Sequence, residues 1–234
     1  MPVAKVVRVI RHLAVIAACG LLSETATADD IDVSKVPPAV IKAANDVVTS
    51  KTALKNIKWT AAEKHTENNV VKFHLEGETA DEYGVSITVT AAAQVEEVRE
   101  QLDFDKLPQG VKKAALGAVP GIKEADAEVY KVLAGKNLAD VTYEVEGEDA
   151  KGRYVRLDVS ADGKVDEFYA EVTVKELPKA VQDALNTQFA KRRSATCYVV
   201  HEKGKLARYD VEVVRGNGSE VHVSYKPDGK QIKD

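Results

Sequence analysis

Three stretches of the chain share a hydrophobic pattern that is typical of a short amphipathic helix. They open at Val36-Pro37, Leu107-Pro108 and Leu177-Pro178, which are spaced 71 and 70 residues apart. Counted from the first residue of each pair, positions four, seven and eight are apolar in all three stretches. Apolar residues at this spacing share one helix face, and proline in a first turn lacks only an N–H that would have no intrahelical partner. The pattern therefore predicts three short helices.

Segments with alternating polarity follow the predicted helices. In the second stretch Val141, Tyr143 and Val145 alternate with polar residues, and residues 155–159 do the same. A period of two is typical of a strand with one buried and one solvated face. The Asp162-Gly163 pair that follows is a common signal for a tight hairpin turn. These segments predict antiparallel strands.

The same segments recur at fixed offsets, which indicates an internal repeat. Residues 71–108 match residues 141–178 at an offset of 70 without a gap, and the third stretch matches the second at an offset of 66. In the first stretch Ala92-Ala93 replaces the Asp-Gly pair, so we expect that hairpin to turn differently or to be looser. The sequence predicts an α+β fold of three tandem repeats, each a short N-terminal helix packed on an antiparallel sheet of about four strands. Their predicted boundaries are residues 36–102, 107–174 and 177–234, the third being truncated.

The repeated motifs resemble the PepSY-like domain family, which is also described as similar to the beta-lactamase-inhibitory-protein fold. The resemblance lies in a helix opening with Leu-Pro-x-x-Val, a Tyr-x-Val-x pattern, a Val-x-Val run and an Asp-Gly-Lys turn. In the third repeat the matching residues are Leu177, Pro178, Val181, Tyr209, Val211, Val221, Val223 and 228–230. The resemblance covers three tandem copies and nearly all of the chain after its leader. It implies an exported bacterial α+β module, with binding or inhibition of exported enzymes suggested by analogy, and it supplies no catalytic residues.

Residues 1–28 have the three-part layout of a secretory signal peptide. Lys5, Arg8 and Arg11 precede an apolar run over residues 13–22, and Ala26-Thr27-Ala28 offers small residues to a signal peptidase. That run is shorter than the roughly 20 residues that a membrane-spanning helix needs. We therefore expect a cleaved, periplasmic or secreted protein that keeps no transmembrane anchor.

An alternative interpretation of the leader places a lipid on Cys19. Residues 16–19 are similar to a bacterial lipobox, which would make Cys19 the first residue of an anchored lipoprotein. Residues 20–22 continue the apolar segment beyond the cysteine. Cleavage after Ala28 is therefore the favoured expectation.

Charge and cysteine content narrow the possible partners. From Asp29 onward the chain has 30 basic and 36 acidic side chains, a net charge of −6. Net acidity of this size is the wrong sign for a nucleic-acid-binding protein. Cys197 is then the sole cysteine, which excludes an intramolecular disulfide, and its place in a predicted strand indicates a small buried hydrophobe.

No residue pattern assigns a catalytic, cofactor or metal site. The histidines lack the spacing of a metal motif, and no nucleophile is paired with a base. His65 and His74 could still approach each other across a hairpin, near acidic loops. That possibility supports an alternative hypothesis, a periplasmic protein that senses or buffers a small ligand or a metal ion.

Tyr154 and Tyr169 are the candidate binding residues. Each is out of phase with the apolar positions of its strand, which predicts that it is exposed on the sheet surface. Tyrosine is enriched in protein interfaces. The leading hypothesis is an exported, non-enzymatic module that binds an unknown exported protein through its sheet, with inhibition of an exported enzyme as the suggested activity.

Overall fold

The computed structural model describes residues 29–233, which form three α-helices and thirteen β-strands. The predicted signal peptide and Cys19 lie outside these residues. The helices are α1 (Pro38–Lys51), α2 (Gln109–Ala118) and α3 (Lys179–Gln188). The strands are β1 (Asp29–Ile31), β2 (Lys58–Glu67), β3 (Val70–Glu78), β4 (Gly84–Thr90), β5 (Val95–Leu102), β6 (Glu128–Ala134), β7 (Asp140–Glu148), β8 (Tyr154–Ser160), β9 (Val165–Val172), β10 (Arg192–Glu202), β11 (Lys205–Arg215), β12 (Glu220–Tyr225) and β13 (Gln231–Ile232). Within residues 29–233, no helix has the length and apolar character needed to cross a membrane.

All thirteen strands belong to one antiparallel sheet, in which they lie in chain order. Helix α1 precedes β2–β5, α2 precedes β6–β9 and α3 precedes β10–β13. The pairings of β5 with β6 and of β9 with β10 make the sheet continuous. The predicted α+β class is therefore confirmed, with a single sheet across the whole described chain.

The helices pack on one face of this sheet. Val40, Val111 and Val181 occupy position four of the shared helix pattern, and all three are fully buried. The cores beneath the helices are linked through the strand register, since Leu133 pairs with both Val98 and Val141, and Ala170 pairs with Val199. Because alternate residues of a strand point to opposite faces, polar residues between these positions lie on the face away from the helices. We call this face the helix-free face.

The turn at Ala92-Ala93 is neither different nor looser, so that expectation was wrong. Thr90 and Gln94 close it with a backbone N–H···O bond of 2.9 Å, as Ser160 and Lys164 do at the Asp162-Gly163 turn, also at 2.9 Å. Ala93 adopts φ 63°, in the left-handed region where Gly163 has φ 82°. The main-chain hydrogen bonds and strand pairing thus impose the same turn on a residue that has a Cβ.

Candidate protein-binding surface

Tyrosine and arginine side chains form a continuous band across the helix-free face from β5 to β11. We call this band the tyrosine–arginine surface, and it consists of Arg99, Tyr130, Tyr154, Arg156, Tyr169, Tyr198 and Arg208. The strand register makes its members neighbours: Arg156 lies opposite Tyr169, and Val200 lies opposite both Tyr169 and Arg208. The band therefore follows from strand alternation together with the register between strands.

Tyr169 is held between two guanidinium groups. The Cζ atoms of Arg156 and Arg208 lie 5.2 Å and 5.6 Å from its ring centroid. Arg208 also donates a hydrogen bond to the Tyr169 hydroxyl. Val200, which lies opposite Tyr169 on the same face, is fully buried. These contacts fix the ring and leave it half-buried.

Arg208 is itself surrounded by carboxylates. It forms ion pairs with Glu167 at 3.0 Å, with Asp210 at 3.1 Å and with Glu202. Ser224 donates to the same Asp210 carboxylate at 2.7 Å. The Arg208 side chain is only 17% exposed, so its positive charge is balanced mainly by these neighbouring carboxylates.

A buried carboxyl pair lies beside this cluster on β7. Glu144 Oε1 accepts a hydrogen bond from Arg99 Nη2 at 2.8 Å, and Arg156 Nε approaches it to 3.7 Å. Burial raises the pKa of Glu144 to about 7, and a hydrogen bond with Glu146 adds to the rise against the opposing charges of the two arginines. Below about pH 7, Glu144 therefore retains its proton in the folded protein.

Tyr154 completes the band towards β10. Its hydroxyl donates to Glu146 at 3.0 Å, and its ring meets Tyr198 edge-on, with centroids 6.1 Å apart and an interplanar angle of 80°. Burial, followed by the charge of Glu146, raises the pKa of Tyr154, so it stays protonated and donates this bond. The structure places Tyr154 and Tyr169 on the helix-free face, but half-buried rather than fully exposed, because neighbouring side chains cover them.

Most of the surface was not identified from the sequence. Tyr130 and Tyr198 are out of phase with the buried residues Val129 and Cys197, which is the same signal that pointed to Tyr154 and Tyr169. Beside Tyr198, the consecutive apolar residues Val199 and Val200 interrupt the alternation of polar and apolar positions along the strand. No sequence signal marks the arginines, because their partners are set by cross-strand register.

The described residues give little support to a metal site or a reactive thiol. In residues 29–233, no group of three or more His, Cys, Asp or Glu side chains is placed to hold a metal ion. Lys72, rather than His74, lies opposite His65 in the β2–β3 hairpin. Cys197 is 1% exposed, and burial raises the pKa of its thiol to about 11, which disfavours the reactive thiolate.

Solved structures that are similar to this chain include two Bacteroides proteins. No family model matches the sequence, and no curated protein matches it. A DUF2874 family protein from Bacteroides ovatus is 11% identical with a TM-score of 0.41, and the match covers 57% of this chain and 86% of that one. A BLIP-like protein from Bacteroides fragilis is 18% identical with a TM-score of 0.39, and the match covers 55% of this chain and 82% of that one. The similarity to the PepSY-like family stays a prediction.

Proposed function

We propose that this protein is an exported, non-enzymatic binding protein that holds another exported protein on its tyrosine–arginine surface. The observation that carries this proposal is the continuous band of tyrosines and arginines on a face that the helices leave uncovered. Tyrosine and arginine are enriched both in interfaces and among the residues that dominate binding energy. Where the partner is an enzyme whose active site the surface covers, binding would inhibit it.

The surface is also large and rigid enough for this role. Seven strands spaced about 4.8 Å apart give a band roughly 30 Å wide, which suits an interface of about 800 Å² on each partner. The tyrosine rings are fixed by Arg156, Arg208 and Glu146. Side chains that are already ordered lose less conformational entropy when a partner binds.

The proposal includes a chain of three tandem repeats, at residues 36–102, 107–174 and 177–234. It is supported by the sequence offsets of 70 and 66 residues, and by an element order in which each helix precedes four strands. A separate hydrophobic cluster beneath each helix also supports it. In this arrangement the surface begins at the end of the first repeat and extends across the second and third.

Export through the leader is part of the same proposal. We expect the first residue of the protein purified from periplasm or culture fluid to be Asp29, as read by N-terminal sequencing. A chain that begins at Cys19 and carries a lipid, detected by mass spectrometry of the membrane fraction, would establish the lipoprotein alternative instead.

The binding function is tested with the mature chain from Asp29 as immobilised bait in native envelope and secreted extracts. The retained protein is purified, and its dissociation constant is measured by calorimetry against the wild type and a Tyr154→Ala/Tyr169→Ala double variant. We expect the double variant to bind at least about 30-fold more weakly, since a single interface hot spot contributes about 2 kcal/mol or more.

Two further variants separate binding from folding. Val70→Ala/Leu116→Ala removes two exposed apolar side chains outside the surface and should leave the dissociation constant unchanged. Tyr154→Phe/Tyr169→Phe keeps both rings and should retain most of the affinity. Equal affinity of the wild type and the folded double alanine variant would exclude the tyrosine–arginine surface as the binding site.

A further inference from the structure

Arginines of the tyrosine–arginine surface are held in a recurring arrangement, in which each guanidinium group contacts both a tyrosine ring and a carboxylate. Arg99 Cζ lies 4.7 Å from the ring centroid of Tyr130, and its guanidinium is also bound by the Glu144 carboxylate. Tyr169 is likewise stacked by Arg208, which is bound by Glu167. A ring face combined with a neighbouring carboxylate is therefore the arrangement that holds a guanidinium group on this surface.

The same two components lie together at Tyr198. Its strand neighbours are Glu171 on β9 and Asp210 on β11, and Glu212 lies two residues further along β11 on the same face. Among residues 29–233, no lysine or arginine is stacked on Tyr198. Glu171 accepts a hydrogen bond from the Tyr154 N–H at 3.3 Å, and Glu212 lies 3.9 Å from His222 Nδ1, but within the described residues neither forms an ion pair with a lysine or arginine. Burial raises the pKa of Tyr198 to about 12, and the negative charges of Glu212 and Glu171 add to the rise.

The charge around this position is predominantly negative. Even without Glu144, the arginines of the band are outnumbered by carboxyl groups on the same face, which are Glu128, Glu146, Asp158, Glu167, Glu171, Glu202, Asp210 and Glu212. Arg208, the nearest arginine along β11, is already paired with Glu167, Asp210 and Glu202. Opposite potentials favour the encounter and the orientation of two proteins.

We propose that the partner docks a lysine or arginine side chain on Tyr198, between Glu171 and Glu212. This inference rests on the proposed binding function and specifies the partner as a protein that presents a basic side chain to the helix-free face. The cation stacks on the ring and pairs with the carboxylates, as Arg99 does with Tyr130 and Glu144.

A deca-arginine peptide is the first probe, with decaglutamate as the peptide of opposite charge. Binding to the mature chain is measured at low salt for the wild type, Tyr198→Leu, Tyr198→Phe and Glu171→Gln. We expect Tyr198→Leu and Glu171→Gln to weaken deca-arginine binding roughly two- to fivefold, and Tyr198→Phe to retain it because the ring face remains. Decaglutamate should not bind.

Glu124→Gln provides the matched control, because it removes one negative charge from an exposed position outside the surface. If Glu124→Gln weakens deca-arginine binding as much as Glu171→Gln does, the peptide responds only to net charge and the inference is overturned. Resistance of deca-arginine binding to Tyr198→Leu would also overturn it.

The same variants, tested on the captured exported protein, distinguish the two proposals. Loss of its binding in Tyr154→Ala/Tyr169→Ala, without any effect of Tyr198→Leu or Glu171→Gln, would overturn this inference and leave the proposed function standing. If none of these variants weakens binding, the proposed function fails as well. Weaker binding of the captured protein by all of these variants supports both the proposed function and this inference.

Discussion

Glu144, which pairs with Arg99 of the tyrosine–arginine surface, links burial, charge and pH in a single residue. The residue is 6% exposed, and burial raises the pKa of its carboxyl group from 4.5 to about 7 although Arg99 and Arg156 lie beside it. Between these two pH values the folded protein retains a proton that the unfolded chain has released. The contribution of Glu144 to stability is therefore greatest at low pH and decreases as pH rises through this window.

Replacing Glu144 with glutamine should remove this dependence, because the amide does not titrate. In denaturant unfolding between pH 5 and 7, we expect the free energy of unfolding of the wild type to fall relative to Glu144→Gln by up to roughly 1.4 kcal/mol per pH unit. The free energy of unfolding of the exposed control Glu124→Gln should change with pH in the same way as that of the wild type. Parallel pH curves for the wild type and Glu144→Gln would contradict this account of the carboxyl pair.

Ala93 is a second residue whose environment makes a quantitative prediction. Its φ of 63° lies in the left-handed region, which is unfavourable for a residue with a Cβ. Glycine adopts this conformation without that steric penalty. Ala93→Gly should therefore raise the free energy of unfolding by about 0.5–1 kcal/mol, after the greater entropy of the unfolded glycine chain is allowed for. The adjacent Ala92→Gly should lower it instead. Thermal denaturation of both variants shows whether each change raises or lowers the free energy of unfolding. Destabilisation by Ala93→Gly would show that the turn is not strained.

At the scale of elements, a buried carboxylate ties α1 to the strands that follow. Glu100 of β5 is 1% exposed on the helix-covered face, and it accepts the Ala53 N–H after α1 at 2.7 Å. Lys131 Nζ of β6 lies 3.7 Å from its other oxygen. This residue therefore connects the first helix to both strands at the junction between β5 and β6.

Truncation of Glu100 should be costly because it leaves both partners without a carboxylate. We expect Glu100→Ala to lower the free energy of unfolding by about 3 kcal/mol in urea denaturation. Glu97→Ala on the same strand, at a half-buried position without an ion pair among the described residues, should change it by less than about 0.5 kcal/mol. Similar losses in the two variants would show that Glu100 is not a specific connection.

The sequence predicted individual helices and strands better than their assembly. Period-two alternation identified the strands around Tyr143 and Val155, and the helix spacing identified Val111 and Val181 as buried residues. Both signals are local, so a single chain displays them. The turn at Ala93 was mispredicted because main-chain hydrogen bonding and strand pairing outweigh the preference of one residue.

At the scale of the whole molecule, the continuity of the sheet determines the candidate surface. The stacking of Arg208 on Tyr169 joins residues 39 positions apart, and the pairing of Arg99 with Glu144 joins residues 45 positions apart. These contacts depend on the pairing of β5 with β6 and of β9 with β10, which no local pattern encodes. The sequence could therefore place Tyr154 and Tyr169 on a face, but it could not show which side chains surround them.

The central claim is that a partner protein binds the helix-free face. Hydroxyl-radical footprinting of the captured complex, read by mass spectrometry at single side chains, tests it most directly. We predict lower oxidation of Tyr154, Tyr169 and Tyr198 in the complex than in the free protein, and unchanged oxidation of Leu116 on α2. Unchanged oxidation of the three tyrosines, together with protection of Leu116, would place the partner on the helices and contradict the account.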